Sequence, residues 1–96
     1  MFLRLTYLYI SPENVGKAKE VYMAEIASVI RSQKGNKEVL FLESMENSEE
    51  FISYSLWENE SDIKEFEASP DYVKAINRVK ELVSKAPVQK YFKVNR

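Results

Sequence analysis

The residues of this chain whose chemistry could serve a reaction are grouped around its only tryptophan, Trp57. Ser53 and Ser55 alternate with it along one short segment, and Phe66 and Tyr72 follow. Hydroxyl, indole and phenol groups can donate hydrogen bonds to negative charge that develops on a substrate oxygen. The chain has no histidine and no cysteine, which excludes imidazole bases, Ser-His-Asp triads, thiol nucleophiles and the commonest metal ligands. We therefore expect no metal ion held by histidine or cysteine, and any chemistry must come from the remaining side chains or from the substrate itself.

Small polar residues beside large aromatic ones are typical of a ligand cavity. Ser53 and Ser55 are too small to fill the space between a sheet and a helix, and Thr6 has the parity to face the same space from an earlier strand. Packing of Phe66 or Tyr72 over the two serines is an equally good interpretation.

Each further candidate also has an ordinary structural interpretation. The indole N–H of Trp57 needs a partner if it is buried, which favours the edge of a cavity, but core packing explains Trp57 and Tyr72 as well. Asn77 borders the apolar stripe of the last helix and could equally face solvent. Glu43 lies on a mostly apolar strand face, where a general base is one interpretation and an ion pair with a lysine or arginine the stronger one.

The overall composition predicts one domain, residues 1–96, with balanced charge. Fourteen Lys and Arg against fifteen Asp and Glu give a net charge of −1, and the basic residues of 78–96 alternate with apolar ones, which is typical of a solvated face and not of a nucleic-acid site. No apolar run approaches the roughly 20 residues that span a bilayer, and no signal peptide is recognisable, so we expect a cytoplasmic protein without a membrane partner.

The hydrophobic pattern predicts the element order β-α-β-β-α-β. Strands are expected at 2–10, 38–45, 51–57 and 88–94. A helix should start at Ser11–Pro12 and reach about residue 33, where Gly35 stops it. Ser61 should cap a short helix, and Ser69–Pro70 should open a second one that ends at Ala86–Pro87. This order predicts a ferredoxin-like α+β fold: a four-stranded antiparallel sheet with helices on one face.

The face of that sheet without helices would be strongly apolar. Its predicted side chains on the first and third strands are Leu3, Leu5, Tyr7, Ile52, Tyr54 and Leu56. An exposed patch of this kind favours a homodimer in which two sheets pack face to face.

The segment SLWENES, from Ser55 to Ser61, followed by Phe66, Ser69–Pro70 and Tyr72, resembles the small antibiotic biosynthesis monooxygenase (ABM) domains. The resemblance implies a dimeric α/β barrel in which each subunit has a pocket between sheet and helices. Some members of that family oxygenate polycyclic aromatic substrates without metal or prosthetic group, because the deprotonated phenol or hydroquinone itself supplies electrons to O₂. Other members degrade haem, and others are associated with stress.

Individual family positions carry over only in part. Trp57 matches the family tryptophan, whereas Asn77 stands where haem-degrading members have their axial histidine, and Thr6 where they have an asparagine. Ser53 replaces an asparagine of the aromatic-oxygenating members. The resemblance therefore favours cofactor-independent oxygenation of a small aromatic or quinol molecule over haem degradation.

The resulting expectation is a site made of two groups of side chains. The catalytic candidates are Trp57, Tyr72 and Asn77, and the substrate-binding candidates are Thr6, Ser53, Ser55 and Phe66. A non-catalytic dimeric ligand-binding or stress-response domain of the same fold is the alternative, since no strong acid–base pair is recognisable. Haem binding through a ligand other than histidine, such as Tyr72, is a third interpretation.

Overall fold

Four antiparallel strands form one sheet in the computed structural model, which describes all residues 1–96. The strands are β1 (Phe2–Tyr9), β2 (Asn36–Glu43), β3 (Glu50–Trp57) and β4 (Val88–Lys93). Their order across the sheet is β2-β3-β1-β4, so β1 pairs with both β3 and β4. The predicted ferredoxin-like α+β architecture is confirmed. β2 starts earlier than predicted and ends at Glu43, because the Ser44 hydroxyl accepts the N–H groups of Glu46 and Asn47 and turns the chain there.

The first helix is less regular than its sequence pattern predicts. It begins with a 3₁₀ turn (Pro12–Asn14), continues as α1 (Val15–Val21), passes through a π-helical turn (Tyr22–Ile26) and ends as α2 (Ala27–Arg31). Two buried pairs, Val21–Tyr22 and Ile26–Ala27, lie five residues apart, which is the repeat of a π-turn. A π-turn contains one residue more than a turn of α-helix, and this extra residue keeps both buried pairs on the side of the helix that faces the sheet.

Two shorter helices follow β3, namely α3 (Glu60–Glu67) and α4 (Pro70–Lys80). The Ser69 hydroxyl donates to the Phe66 carbonyl oxygen at 2.6 Å and accepts the Tyr72 N–H at 3.3 Å. One side chain therefore closes α3 and caps α4, and the predicted break at Ser69–Pro70 is confirmed.

The predicted outer ends of these two helices are wrong. Asn59 precedes α3 in place of Ser61, with the acidic residues Glu60 and Asp62 in the first turn. The last helix stops at Lys80, well before Ala86–Pro87. Both the N–H and the hydroxyl of Ser84 donate to the Tyr9 carbonyl oxygen, at 2.7 and 3.1 Å, which draws the chain back to the sheet. None of the helices combines the length and the apolar character needed to cross a membrane.

The two faces of the sheet differ as the alternation predicts. On the helix-covered face, apolar side chains of the strands join the buried core, and the polar residues Arg4 and Thr6 lie opposite Ser55 and Ser53 across the β1–β3 ladder. The other face carries the predicted apolar set, with Leu40, Leu42 and Phe92 beside it at 43%, 39% and 48% exposure. This open face has no helix over it.

Gly35 is required by the turn that joins α2 to β2. It has φ of +81°, and a Cβ at this position would overlap the Oδ2 atom of buried Asp62. We predict that Gly35→Ala lowers the free energy of unfolding by roughly 2 kcal/mol, through backbone strain and this clash. Chemical denaturation measures the loss.

Gly16 supplies the matched control, because it lies in α1 and a Cβ there would meet nothing within 4 Å. Gly16→Ala should stabilise the protein by roughly 0.5–1 kcal/mol, as alanine does in helices. Equal effects of the two substitutions would contradict the special role of Gly35.

Candidate functional site

A cavity lies between the helix-covered face of the sheet and the helices. It encloses about 370 Å³ of empty space, part of which is open to solvent, and about 30 Å³ of it is available to the centres of water molecules. That is room for about two waters. Its lining residues are Arg4, Thr6, Leu8, Tyr22, Ile26, Ile30, Ser53, Phe66, Tyr72, Ala75, Ile76 and Val79. The cavity is therefore apolar with a few polar groups, and an aromatic ligand would enter only if side chains moved.

The only charged residue of the lining is Arg4, whose exposed fraction is 4%. Its Nε donates to Glu67 Oε2 at 2.8 Å and its Nη1 to Thr6 Oγ1 at 3.3 Å. The Gln89 amide is oriented with its oxygen toward Arg4, where it lies 3.1–3.2 Å from the three guanidinium nitrogens. A buried guanidinium needs such a set of acceptors, because an unpaired charge in an apolar interior is strongly destabilising.

Two aromatic rings lie beside the same guanidinium. The Cζ atom of Arg4 is 5.6 Å from the ring centre of Phe66 and 5.2 Å from that of Tyr72, distances at which a cation is attracted to a ring face. The two rings meet edge to face at 5.4 Å. Since Phe66 lies in the last turn of α3 and Tyr72 in the first turn of α4, the break at Ser69–Pro70 is what brings both rings to the cavity.

A buried pair of hydroxyls forms a second polar point in the lining. The Tyr22 and Ser53 oxygens lie 2.7 Å apart, and the Tyr22 ring stacks on Phe41 at 4.2 Å. Burial raises the pKa of Tyr22 above its ordinary value, so the phenol stays protonated and can donate a hydrogen bond. Tyr22 occupies the first position of the π-turn, a feature often found at functional sites.

Trp57 and Ser55 lie behind the cavity wall and not on it. Trp57 is fully buried, and its Nε1 donates to Ser55 Oγ at 2.8 Å. Ser55 Oγ in turn donates to the Arg4 carbonyl oxygen at 3.3 Å. The indole stacks on Phe66 with ring centres 5.6 Å apart. The tryptophan therefore supports a ring of the lining, and its own N–H is already satisfied.

The structure brings four of the predicted site residues together, namely Thr6, Ser53, Phe66 and Tyr72. Asn77 is exposed on α4 and does not line the cavity. Of its two interpretations, the structure agrees with the one in which Asn77 faces solvent. Glu43 pairs with Lys19 at 2.9 Å, with both side chains about half exposed, as the ion-pair interpretation expected. No three carboxylates approach one another closely enough to hold a metal ion.

Four residues at or beside the site were missed as candidates from sequence: Arg4, Tyr22, Glu67 and Gln89. Arg4 has the same parity as Thr6 along β1 and therefore shares its face, and a lone cation on a buried face is a signal in itself. Tyr22 has the spacing of the apolar residues of the first helix, but a buried tyrosine hydroxyl needs a partner, and Ser53 can supply it. Nothing local identified Glu67 or Gln89.

The β-α-β-β-α-β order and the antiparallel sheet with helices on one side define a ferredoxin-like α+β protein. The sequence identifies the family within this fold. The family model described as "Antibiotic biosynthesis monooxygenase" matches residues 1–78, and the chain belongs to that family. No curated protein sequence matches it significantly.

Solved structures of the same fold agree with this assignment. A proposed antibiotic biosynthesis monooxygenase of Deinococcus radiodurans is 20% identical, with a TM-score of 0.86 over 100% of this chain and 94% of that one. SnoaB of Streptomyces nogalater, a cofactor-independent oxygenase solved as a point mutant, is 10% identical, with a TM-score of 0.84 over 99% and 93%.

A third structure is the monooxygenase from the gene ActVA-Orf6 of Streptomyces coelicolor, in complex with nanaomycin D. It is 17% identical, with a TM-score of 0.86 over 99% of this chain and 88% of that one. At these identities the likeness establishes the shared fold, while the chemistry has to be argued from the residues of this chain.

The carboxylate of Glu67 also controls a tyrosine on β4. Partial burial and the hydrogen bond to Glu67, with 2.5 Å between the oxygens, raise the pKa of Tyr91 from 10.0 to about 12. Because the folded state holds this proton more tightly than the unfolded chain does, Tyr91 contributes stability below pH 10 that is lost as the pH rises toward 12.

Ultraviolet titration of phenolate absorbance tests this prediction. Tyr91→Phe should remove the tyrosine step near pH 12, and Glu67→Gln should move that step toward lower pH. Identical curves for the wild type and both variants would contradict the assignment.

Proposed function

We propose that this protein is a cofactor-independent oxygenase of a small aromatic molecule, of hydroquinone or anthrone type, bound in the cavity between sheet and helices. The observation that carries the proposal is the lining itself: apolar and aromatic side chains, with Arg4, Thr6, Tyr22 and Ser53 as its polar groups. Such a lining suits a planar ring that bears oxygen. Membership of the family supports the same reading.

The proposed reaction needs only the substrate and O₂ as redox partners. The deprotonated substrate transfers an electron to O₂, and the resulting oxygen species bonds to a ring carbon as a peroxide. Loss of water then leaves a carbonyl, so that one oxygen atom enters the product and the other leaves with two hydrogens of the substrate. The protein stabilises the substrate oxyanion through its donors, and it excludes bulk water from the apolar cavity.

The side chains divide into those that touch the substrate and those that position them. The hydroxyl of Tyr72 and the guanidinium of Arg4 would face the oxyanion, while Thr6 and Ser53 complete the polar wall. Trp57 acts through the stacked ring of Phe66 and is a positioning residue. Asn77 has no place in this arrangement, because it does not reach the lining.

The substrate requires a wider cavity than the two-water space of the present state. Phe66 and Tyr72 belong to different helices joined at Ser69–Pro70, so a small rotation at this joint would separate their rings. The tight closure also favours a second candidate function, a non-catalytic dimeric binding or stress-response domain whose cavity is filled by its own side chains.

The proposed functional unit is a homodimer formed through the open face. Apolar side chains of all four strands contribute to this face, and no element of the chain covers it. They are Leu3, Leu5, Tyr7, Leu40, Leu42, Ile52, Tyr54, Leu56, Val88 and Phe92. Lys90, over the Tyr7 ring, and Glu38, opposite Leu56, are charged residues of the same face. Burial of this largely apolar surface against a partner's equivalent face would remove it from water.

Oxygen consumption with a panel of hydroquinones and anthrones tests the enzymatic proposal. The wild type should exceed the uncatalysed rate, and Tyr72→Phe, which keeps the ring and loses the donor, should lower the rate on the order of a hundredfold. Lys80→Ala, on the exposed side of the same helix, is the control and should not change the rate. A wild-type rate equal to the uncatalysed one for the whole panel would favour the binding domain.

Sedimentation velocity at micromolar concentration tests the dimer. The wild type should sediment as a dimer, and Leu5→Lys, at the centre of the open face opposite Tyr54, should give a folded monomer because it would bury two unpaired cations in the interface. Val73→Lys changes a residue that is 54% exposed on the helix side and should leave the dimer intact. A monomeric wild type would remove the proposal.

A further inference from the structure

We propose that Arg4 makes the cavity selective for a planar aromatic anion, and that Glu67 is a resident counter-ion which the ligand displaces. The ligand class is an aromatic ring that carries a carboxylate or a phenolate oxygen. The inference rests on the proposed function, because it assumes that the cavity receives an aromatic ring. It adds that the cavity prefers a ligand that is already an anion when it binds, and that this ligand displaces Glu67 from Arg4.

The charge balance of the lining supports this selectivity. Arg4 is the only charged side chain that lines the cavity. Thr6 and Gln89 satisfy its hydrogen bonds as neutral groups, whereas Glu67 alone neutralises it. A neutral ligand that separated Arg4 from Glu67 would leave a buried unpaired charge, and an anionic ligand would not.

The position of Glu67 suits a counter-ion that can leave. Its side chain is 26% exposed, compared with 5% for that of Arg4. On its outer side lies an open groove with about 500 Å³ of empty space, lined by Glu60, Ile63, Lys64, Glu67 and Tyr91. A carboxylate that turned from Arg4 into this groove would stay hydrated and beside the Tyr91 hydroxyl. Displacement therefore transfers Glu67 to a wetter place and leaves the buried side of Arg4 to the ligand.

The aromatic surroundings of Arg4 define the shape of the ligand. Phe66 and Tyr72 both lie within cation–π distance of the guanidinium, so a ring whose anionic oxygen met Arg4 would lie against them. Phe66 is also the chain neighbour of Glu67 at the end of α3. When the Arg4–Glu67 pair separates, Glu67 becomes free to move, and so does the neighbouring Phe66, whose ring closes the cavity. Binding of the anion is in this way coupled to opening of the cavity.

Calorimetry with 2-naphthoate and 2-naphthamide tests the inference, because the two compounds share their ring system and differ in charge at neutral pH. Quenching of the single Trp57, which stacks on Phe66, reports whether the ligand is in the cavity. The wild type should bind naphthoate at least about tenfold more tightly than naphthamide, since charge-assisted bonds to a desolvated guanidinium are strong.

Two substitutions should act in opposite directions. Arg4→Gln should abolish the preference for naphthoate, and Glu67→Gln should raise the affinity for naphthoate about tenfold, because a competing anion is removed. The matched control is Glu65→Gln, an exposed acid of the same helix, which should leave both affinities unchanged. If Arg4→Gln does not fold, Glu67→Gln decides the question alone.

The failures of the two proposals are distinguishable. Equal affinity of the wild type for both compounds, with quenching of Trp57, would overturn the anion preference and leave the aromatic-binding cavity standing. Weaker naphthoate binding by Glu67→Gln would overturn the counter-ion role. Failure of both compounds to bind at millimolar concentration would overturn this inference together with the aromatic-binding cavity.

Discussion

A guanidinium enclosed between a sheet and its helices is the interaction on which the other features of this structure depend. Arg4 is 4% exposed, and leaving such a charge without acceptors would be strongly destabilising. Its acceptors come from three elements: Thr6 on β1, Gln89 on β4 and Glu67 on α3. The guanidinium therefore joins α3, through the ion pair with Glu67, and the edge strand β4, through the hydrogen bonds to Gln89, to the centre of the sheet. It also fixes where the polar end of the cavity lies.

Two local features of the helices, the Ser69 cap and the π-turn, shape the surroundings of the Arg4 guanidinium. The Ser69 hydroxyl ends one helix and caps the next, which places Phe66 and Tyr72 beside the guanidinium. The π-turn directs Tyr22 to Ser53 across the cavity. On its other face the same sheet is apolar and uncovered. One alternating strand, β3, thus contributes Ser53 to the cavity on one side and apolar residues to the proposed dimer on the other.

The sequence predicted what depends on strand periodicity and on the Ser69–Pro70 break, whereas the cap expected at Ser61 lies at Asn59. The alternation along β3 separated Ile52, Tyr54 and Leu56 from Ser53, Ser55 and Trp57 correctly, and Ser69–Pro70 marked the helix break. The hydrogen-bond partners of the buried side chains could not be predicted in the same way. Trp57 donates to Ser55, two residues away on its own strand face, so its N–H is satisfied without facing the cavity. Two of the acceptors of Arg4 are distant along the chain, since Glu67 is 63 residues away and Gln89 is 85 residues away. No local sequence pattern connects either of them to Arg4.

A crystal structure of the protein with 2-naphthoate would show whether the cavity opens to accept an aromatic anion at Arg4. The expected structure has the ring against Phe66 and Tyr72, the carboxylate within about 3 Å of the Arg4 nitrogens, and the Glu67 side chain turned into the outer groove. An intact Arg4–Glu67 pair over a closed cavity at saturating ligand, or naphthoate bound on the open sheet face, would contradict it.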